Sequence, residues 1–205
     1  PGFQAGGGTG EVARKLSNAD YDTAWGNPNL NLPLAWRSMT ESFQGALPGT
    51  VPPTVVALQA NYDGKAFSVG ASLFVDFEVP LDYAVGTNGY ISVSWAPTTT
   101  IAIGETVAWE VYINISQSHQ QSGITTAGAS TGSVIFTADR EIAIGELIKS
   151  ECSLPIDLIE PDSIVTAECK RITGTFAGSA VGFRAGIKYQ GNAIGTLNRV
   201  PNFYV

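Results

Sequence analysis

A chain of 205 residues has room for one full domain and a short extra segment, at about 100 to 200 residues per domain; burial of roughly 70% of the unfolded surface at this size supplies a core without disulfides or metal. With 44% hydrophobic residues, only 14% charged, 23 Gly and 11 Pro, the composition excludes long exposed helices and favours short elements joined by many turns. The net charge of −7 offers no basic field to nucleic acid or to an anionic membrane, and no stretch approaches the roughly 18 apolar residues of a spanning helix.

The chain opens on Pro1-Gly2-Phe3, which has neither a basic head nor an apolar leader region, so the expectation is a soluble protein made without export. Residues 1–53 form an arm and linker, bounded by Gly6-Gly7-Gly8-Thr9-Gly10 and by Pro48-Gly49-Thr50-Val51-Pro52-Pro53. The glycine run follows no strand and lacks the Lys and Ser/Thr of a phosphate loop, so it supports no nucleotide site. Trp25, Leu30, Leu32, Leu34, Trp36 and Phe43 are too apolar for a solvated linker, yet they show no sustained period. Such an arm is expected to dock on another surface.

From Thr54 onward the pattern has period two. Strands are expected at Thr54–Ala60, Leu73–Val79, Ile91–Trp95, Val107–Ile115, Ser133–Thr137, Glu146–Cys152, Ser163–Ile172 and Phe183–Tyr189. Tyr90, Ser92 and Ser94 alternate with Ile91, Val93 and Trp95, and Arg184, Gly186 and Lys188 alternate with Phe183, Ala185, Ile187 and Tyr189. Turn signals fall between them at Asp63-Gly64, Thr87-Asn88-Gly89, Ala102-Ile103-Gly104 and Glu160-Pro161-Asp162. The fold class is therefore all-β, an antiparallel β-sandwich or jelly roll over residues 54–205, since amphipathic helices for a parallel α/β sheet are missing. Ile101-Ala102-Ile103-Gly104-Glu105 recurs as Ile142-Ala143-Ile144-Gly145-Glu146, read as one turn used twice before a strand, with Gly making the bend and the acid facing water.

Residues able to carry chemistry are sparse. His119 is the sole histidine and lies in the polar run 116–123, read as an exposed loop tip with no third group to orient it as a base. Asp20 and Asp22, and Asp157, Glu160 and Asp162, lack the alternating spacing and Gly of a calcium loop and the pairing of a glycosidase, and read as surface acids. Cys152 and Cys169 share parity with apolar neighbours and are expected as buried, reduced thiols close in space, with no His or third Cys to make a zinc site. No catalytic residue, metal site or cofactor is expected, and the chain is not read as an enzyme.

The stretch Gly10-Glu11-Val12-Ala13-Arg14-Lys15-Leu16-Ser17-Asn18-Ala19-Asp20-Tyr21-Asp22-Thr23-Ala24-Trp25-Gly26 resembles a phrase of tailed-bacteriophage virion proteins, Lys-x-Ser-x-x-Asp-Tyr-Asp-x-x-Trp after a Gly-rich start, with Leu16 between Lys15 and Ser17. Phe77-Glu78-Val79-Pro80-Leu81-Asp82-Tyr83, then Ile91–Trp95, Val107–Val111, Arg171-Ile172 and Phe183–Tyr189, are similar in order to a β-sandwich domain of phage structural proteins. The resemblance implies a capsid decoration, cement or head-fibre protein, made in the host cytoplasm and placed on the capsid surface of the virion. Its partners would be the major capsid protein and two further copies of itself in a homotrimer, with no nucleic acid and no membrane. Phe3, Leu16, Tyr21, Trp25, Leu30, Leu32 and Trp36 would make the capsid contact, since large apolar groups on an arm without its own core gain most by burial against a partner. The alternative is a tail fibre or tail-needle tip that meets a host receptor through the loop Ser116–Ser130; a sugar hydrolase on a jelly roll is a third reading, opposed by the lack of a carboxylate pair.

Overall fold

The computed structural model describes residues 12–15, 23–26, 35–59, 62–87, 89–116, 124–154 and 159–191. In chain order its strands are β1 (Val12–Lys15), β2 (Thr23–Gly26), β3 (Ala35–Ser42), β4 (Leu47–Pro48), β5 (Thr54–Gln59), β6 (Tyr62–Phe67), β7 (Ser72–Glu78), β8 (Tyr90–Pro97), β9 (Thr106–Ser116), β10 (Ile124–Thr137), β11 (Ile148–Ser153), β12 (Ile164–Ile172) and β13 (Ala180–Gly191). β1 and β2 pair with each other as a separate antiparallel two-stranded sheet.

Two larger antiparallel sheets make the sandwich. The first runs β11-β8-β13-β6-β5, with β3 also alongside β13; the second runs β10-β9-β12-β7-β4. Taking β6 to β13 alone, the order 6-13-8-11 faces 7-12-9-10, which is the double Greek key of a jelly roll. β13 organises the first sheet: Ala180–Gly182 pair with β6, Arg184–Gly191 with β3, and the opposite edge with β8.

Alternation explains why these segments are strands. In β9, Val107, Trp109, Val111, Ile113 and Ile115 are buried, and in β12 Val165, Ala167 and Cys169 match them from the neighbouring strand. Between the sheets an aromatic chain runs Phe43, Phe67, Trp109, Trp95, Phe136, with ring centroids 5.5, 5.1, 6.2 and 5.6 Å apart. The tilted and edge-on geometries are those that aromatic quadrupoles favour. The indole N–H of Trp95 donates to the Ser150 hydroxyl at 3.0 Å, so the polar end of this ring is satisfied inside the core.

Arg171, at the end of β12, is fully buried and donates to three backbone carbonyls: Phe67 at 2.8 Å, Gly178 at 2.6 Å and Phe176 at 2.9 Å. Its guanidinium also lies 5.6 Å from the Phe176 ring centroid. The backbone of the same residue accepts from Gly70 N–H at 2.8 Å and donates to Ala71 C=O at 3.0 Å. One residue thus joins the end of β6, the turn into β7 and the β12–β13 loop. Burial pushes the guanidinium pKa down, and the carbonyl dipoles replace the water it has lost.

The eight strands expected from alternation are all present, with shifted ends. The boundary expected at Pro53 does not coincide with the edge of the sandwich. β3 pairs with β13 along its length, β4 pairs with β7, and Phe43 is buried in the core, so residues 35–53 belong to the sandwich layers. The reason is that within β3 only Met39 of the described side chains is partly buried, while Arg37 and Glu41 of the same parity are exposed and Phe43 follows the strand, a pattern too thin for period two to register. β1 and β2, four residues each, are likewise too short for periodicity.

Three turn and loop expectations change. Asp63-Gly64 lies inside β6, where a side chain at Gly64 would sit 2.2 Å from a Val181 methyl; the glycine serves close strand packing instead of a bend. Residues 124–130, expected in a long loop, belong to β10, an edge strand with register shifts between Ala127 and Ser130 and between Ser130 and Ser133. Their Thr, Ala, Gly and Ser residues lack the apolar alternation that marks the inner strands. The repeated pentapeptide does make one turn twice, with Gly104 at φ 84 and Gly145 at φ 77. Its acid does more than face water: Glu105 accepts from Ala102 N–H at 2.7 Å and Glu146 from Ala143 N–H at 3.3 Å. The two turns also bind each other, Ile101 and Ile142 exchanging backbone hydrogen bonds of 3.0 Å each way.

Both cysteines are free thiols. They sit on strands of opposite sheets, Cys169 in the core and Cys152 packed at its margin, and burial raises the Cys169 thiol well above its ordinary range.

Replacing Arg171 by Met is expected to lower the unfolding free energy by about 3–5 kcal/mol, because the three carbonyls lose their donors inside the protein; urea denaturation measures it, and Arg171→Lys, lacking the fork, recovers only part. At pH 8 a thiol-specific reagent should leave Cys169 unlabelled in the native chain and modify it after denaturation. Rapid native labelling of Cys169 would contradict its burial.

Candidate functional site

Five of the residues expected at the capsid contact, Phe3, Leu16, Tyr21, Leu30 and Leu32, lie outside the described residues, as do His119, Asp20, Asp22 and Asp157. Trp25 is on β2 opposite Ala13. Trp36 is on β3, half exposed, with its ring centroid 5.7 Å from that of Tyr90 on β8. Glu160 and Asp162 occupy the turn before β12, where Asp162 takes φ 67 and Ser163 N–H donates to Glu160 C=O. Among the described residues, no three of His, Cys, Asp and Glu gather closely enough to hold a metal ion.

A groove of about 410 Å³ lies on the outer face of the first sheet. Its position follows from strand parity. β8 sends Ile91, Val93 and Trp95 into the core, so Ser92 and Ser94 point outward. In register beside them on β13 are Gly186 and Arg184, and beyond β13 come Thr40 and Ser42 of β3; on the other flank Glu151 and Lys149 of β11 pair with Ser92 and Ser94. The floor is therefore small, made of Ser92, Ser94 and Gly186, and the walls come from β3 and from β11 with the exposed Leu147. Four strands wide, it spans about 14 Å at three interstrand spacings.

Ser92 is committed to the fold, donating to Gly186 C=O at 3.1 Å. Trp36 and Tyr90 meet across β13, next to the row formed by Ser38, Lys188 and Tyr90, just beyond the residues that line the groove at its Ser38 and Lys188 end.

The charges are unevenly paired. Lys188 Nζ and Lys149 Nζ both contact Glu151 Oε1, at 2.8 and 3.0 Å. Lys188 foremost, then Lys149, holds the Glu151 carboxyl below its ordinary range, and Glu151 in turn raises Lys188. Glu151 and Lys188 therefore both stay ionised near neutrality. Arg184 is exposed on β13 and makes no ion pair among the described residues.

At the far end of β3, Arg37 Nε contacts Asp82 Oδ2 at 3.1 Å, while the Tyr189 hydroxyl donates to Asp82 Oδ1 at 3.3 Å. This clasp fixes β3, and with it Trp36, against the body of the sandwich.

The sequence quoted both polar rows, Tyr90/Ser92/Ser94 and Arg184/Gly186/Lys188, without bringing them together. Periodicity assigns a residue to a face but does not say which strands are neighbours, and β3 was absent from the expected strands. What the arrangement offers is recognition: hydrogen-bonding groups and cations, with an aromatic pair nearby and the one carboxylate of this cluster already bound by two lysines.

No family model matches the chain, and no curated protein does. Among solved structures it is similar to the carbohydrate-binding module CBM36 in complex with calcium and xylotriose, at 13% identity and TM-score 0.42 over 73% of this chain and 98% of that one. It is also similar to Xyl-CBM35 in complex with a glucuronic acid containing disaccharide, at 10% identity and TM-score 0.42 over 76% and 99%. The infectious bursal disease virus VP2 subviral particle is a third, at 11% identity and TM-score 0.33 over 92% of this chain and 40% of that one. These likenesses assign no ligand; the chain is an all-β jelly-roll sandwich similar to carbohydrate-binding modules and to a viral capsid protein.

Proposed function

We propose that this chain is a structural virion protein of a tailed bacteriophage, which decorates or cements the capsid as a homotrimer. One observation carries the reading: the phage-type phrase, residues 10–26, lies wholly ahead of β3, the first strand of the sandwich. The strands that complete the jelly roll all come from residue 35 onward. The chain thus divides into a segment that bears the virion phrase with Phe3, Leu16, Tyr21, Trp25, Leu30 and Leu32, and a sandwich built without it.

In this reading the N-terminal segment binds the major capsid lattice and the sandwich projects outward. Exposed apolar residues such as Val55, Ile135 and Ile164 on the sandwich provide surface for contacts between copies. Trp36 moves from the attachment segment to the sandwich, because β3 is paired with β13.

Deleting residues 1–34 is the cut that tests attachment, since a longer deletion strips β3 and Phe43 from the fold. The shortened chain should keep its cooperative unfolding transition and fail to bind capsids; retained binding would remove the attachment role. Quantitative mass spectrometry of purified particles should count copies on the order of hundreds, set by icosahedral symmetry. A count of only a few trimers would instead place the chain at a fibre or needle tip.

A further inference from the structure

We infer that the groove on the outer face of the first sheet binds an acidic saccharide, a chain of pyranose rings that carry carboxylates. This site goes beyond attachment to a capsid and does not rest on it. Charge is the first argument. Arg184, Lys149 and Lys188 line the groove and Glu151 is the acid bound among them, so three cations against one carboxylate leave two positive charges in excess, on a chain whose net charge is −7. Arg184, exposed and without an ion pair among the described residues, presents a planar fork that fits a carboxylate through two parallel hydrogen bonds.

Shape and polarity narrow the partner to a sugar. The floor of Ser92, Ser94 and Gly186 is buried and carries no bulky side chain, so a flat ring would lie above it between the walls. Ser38 and Thr40 flank that floor with hydroxyls, which both donate and accept and so suit a ligand rich in hydroxyls. Beyond the Lys188 end of the groove the neighbouring Trp36 and Tyr90 offer aromatic surface that a saccharide longer than the groove would reach, and the Arg37–Asp82 contact holds β3 in place beforehand. A nucleic acid matches less well, because its phosphate at every residue would extend into the negative field of the rest of the chain.

The test uses the 205-residue chain on an array of uronate- and sialate-bearing oligosaccharides, each beside its neutral methyl ester, followed by calorimetry on the tightest binder. Carboxylated members should bind, and their methyl esters should bind at least about tenfold more weakly, as should Arg184→Ala and Trp36→Ala against the acid form. Glu151→Gln, which frees both lysines, should tighten binding several-fold, and added salt should weaken it. All three side chains are solvent-accessible, so unchanged thermal unfolding of the variants separates lost contact from lost fold. Retention of no carboxylated glycan, equal binding of the methyl esters, or full affinity in both alanine variants would overturn the site, as would binding of single-stranded DNA in preference to every glycan. The same variants should keep the capsid copy number of the parent, so failure of the saccharide site and failure of the virion reading are seen separately.

Discussion

A buried guanidinium bonded to three carbonyls governs how this sandwich is closed. Arg171 stands on the second sheet, and its side chain reaches the end of β6 on the first and the loop into β13. Burying a cation is costly unless its lost water is replaced, and here main-chain carbonyls replace it at both terminal nitrogens, while Nε is buried without a partner among the described residues. Ionic attraction to an acid would tolerate several geometries; three fixed carbonyls tolerate one. The strand that follows this loop, β13, pairs with β6, β8 and β3, and β8 in turn carries β11, so the loop bonded to Arg171 leads directly into the sheet that bears the groove. The aromatic row from Phe43 to Phe136 fills the space thus enclosed and ties residues before β5 to the same core.

The central strands were legible in the sequence because they are inner strands of a two-layer fold. Val107 to Ile115 and Leu73 to Val79 alternate cleanly since one face must be dry. Part of the periphery escaped for the opposite reason, although the edge strands β5 and β11 did not. β3, β4 and β10 each satisfy backbone hydrogen bonds without presenting a continuous apolar face, so Trp36, Thr40 and the Thr/Ala/Gly/Ser run of β10 resemble linker and loop. Gly64 misled in another way: glycine after aspartate signals a turn, yet here it is the lack of a side chain that lets β6 lie against Val181 and Phe183. The groove needed information that no local pattern holds, namely that Ser92 and Gly186, 94 positions apart for the bond they share, stand side by side.

On the proposed readings the molecule would have two kinds of recognition. Its N-terminal segment carries the virion phrase and scattered large apolar residues, whereas the outer face of the first sheet is hydroxyl-rich and locally cationic. Apolar groups gain by permanent burial, while exposed charges and aromatic faces suit contacts that form and release. A protein fixed to a particle and presenting such a face would let many weak contacts act together, since copies held on one lattice raise the effective concentration of each other's sites. The acidic remainder of the chain keeps like surfaces apart and leaves the cationic groove distinct against it.

The repeated pentapeptide bears on how the chain reaches this state. Its two copies lie in the connections β8–β9 and β10–β11, the crossings from one sheet to the other, and the Ile101–Ile142 exchange fastens those crossings together. Everything needed for that closure is contained between Tyr90 and Ser153, a contiguous stretch whose middle is the β9–β10 hairpin. Loops within it are short compared with the separation of β3 from β13 or β6 from β13, so their closure entropy is lower and they can form first. The duplicated turn therefore ties together the stretch of the sandwich whose contacts close the shortest loops, while the pairings of β13 with β3 and β6 close far longer ones.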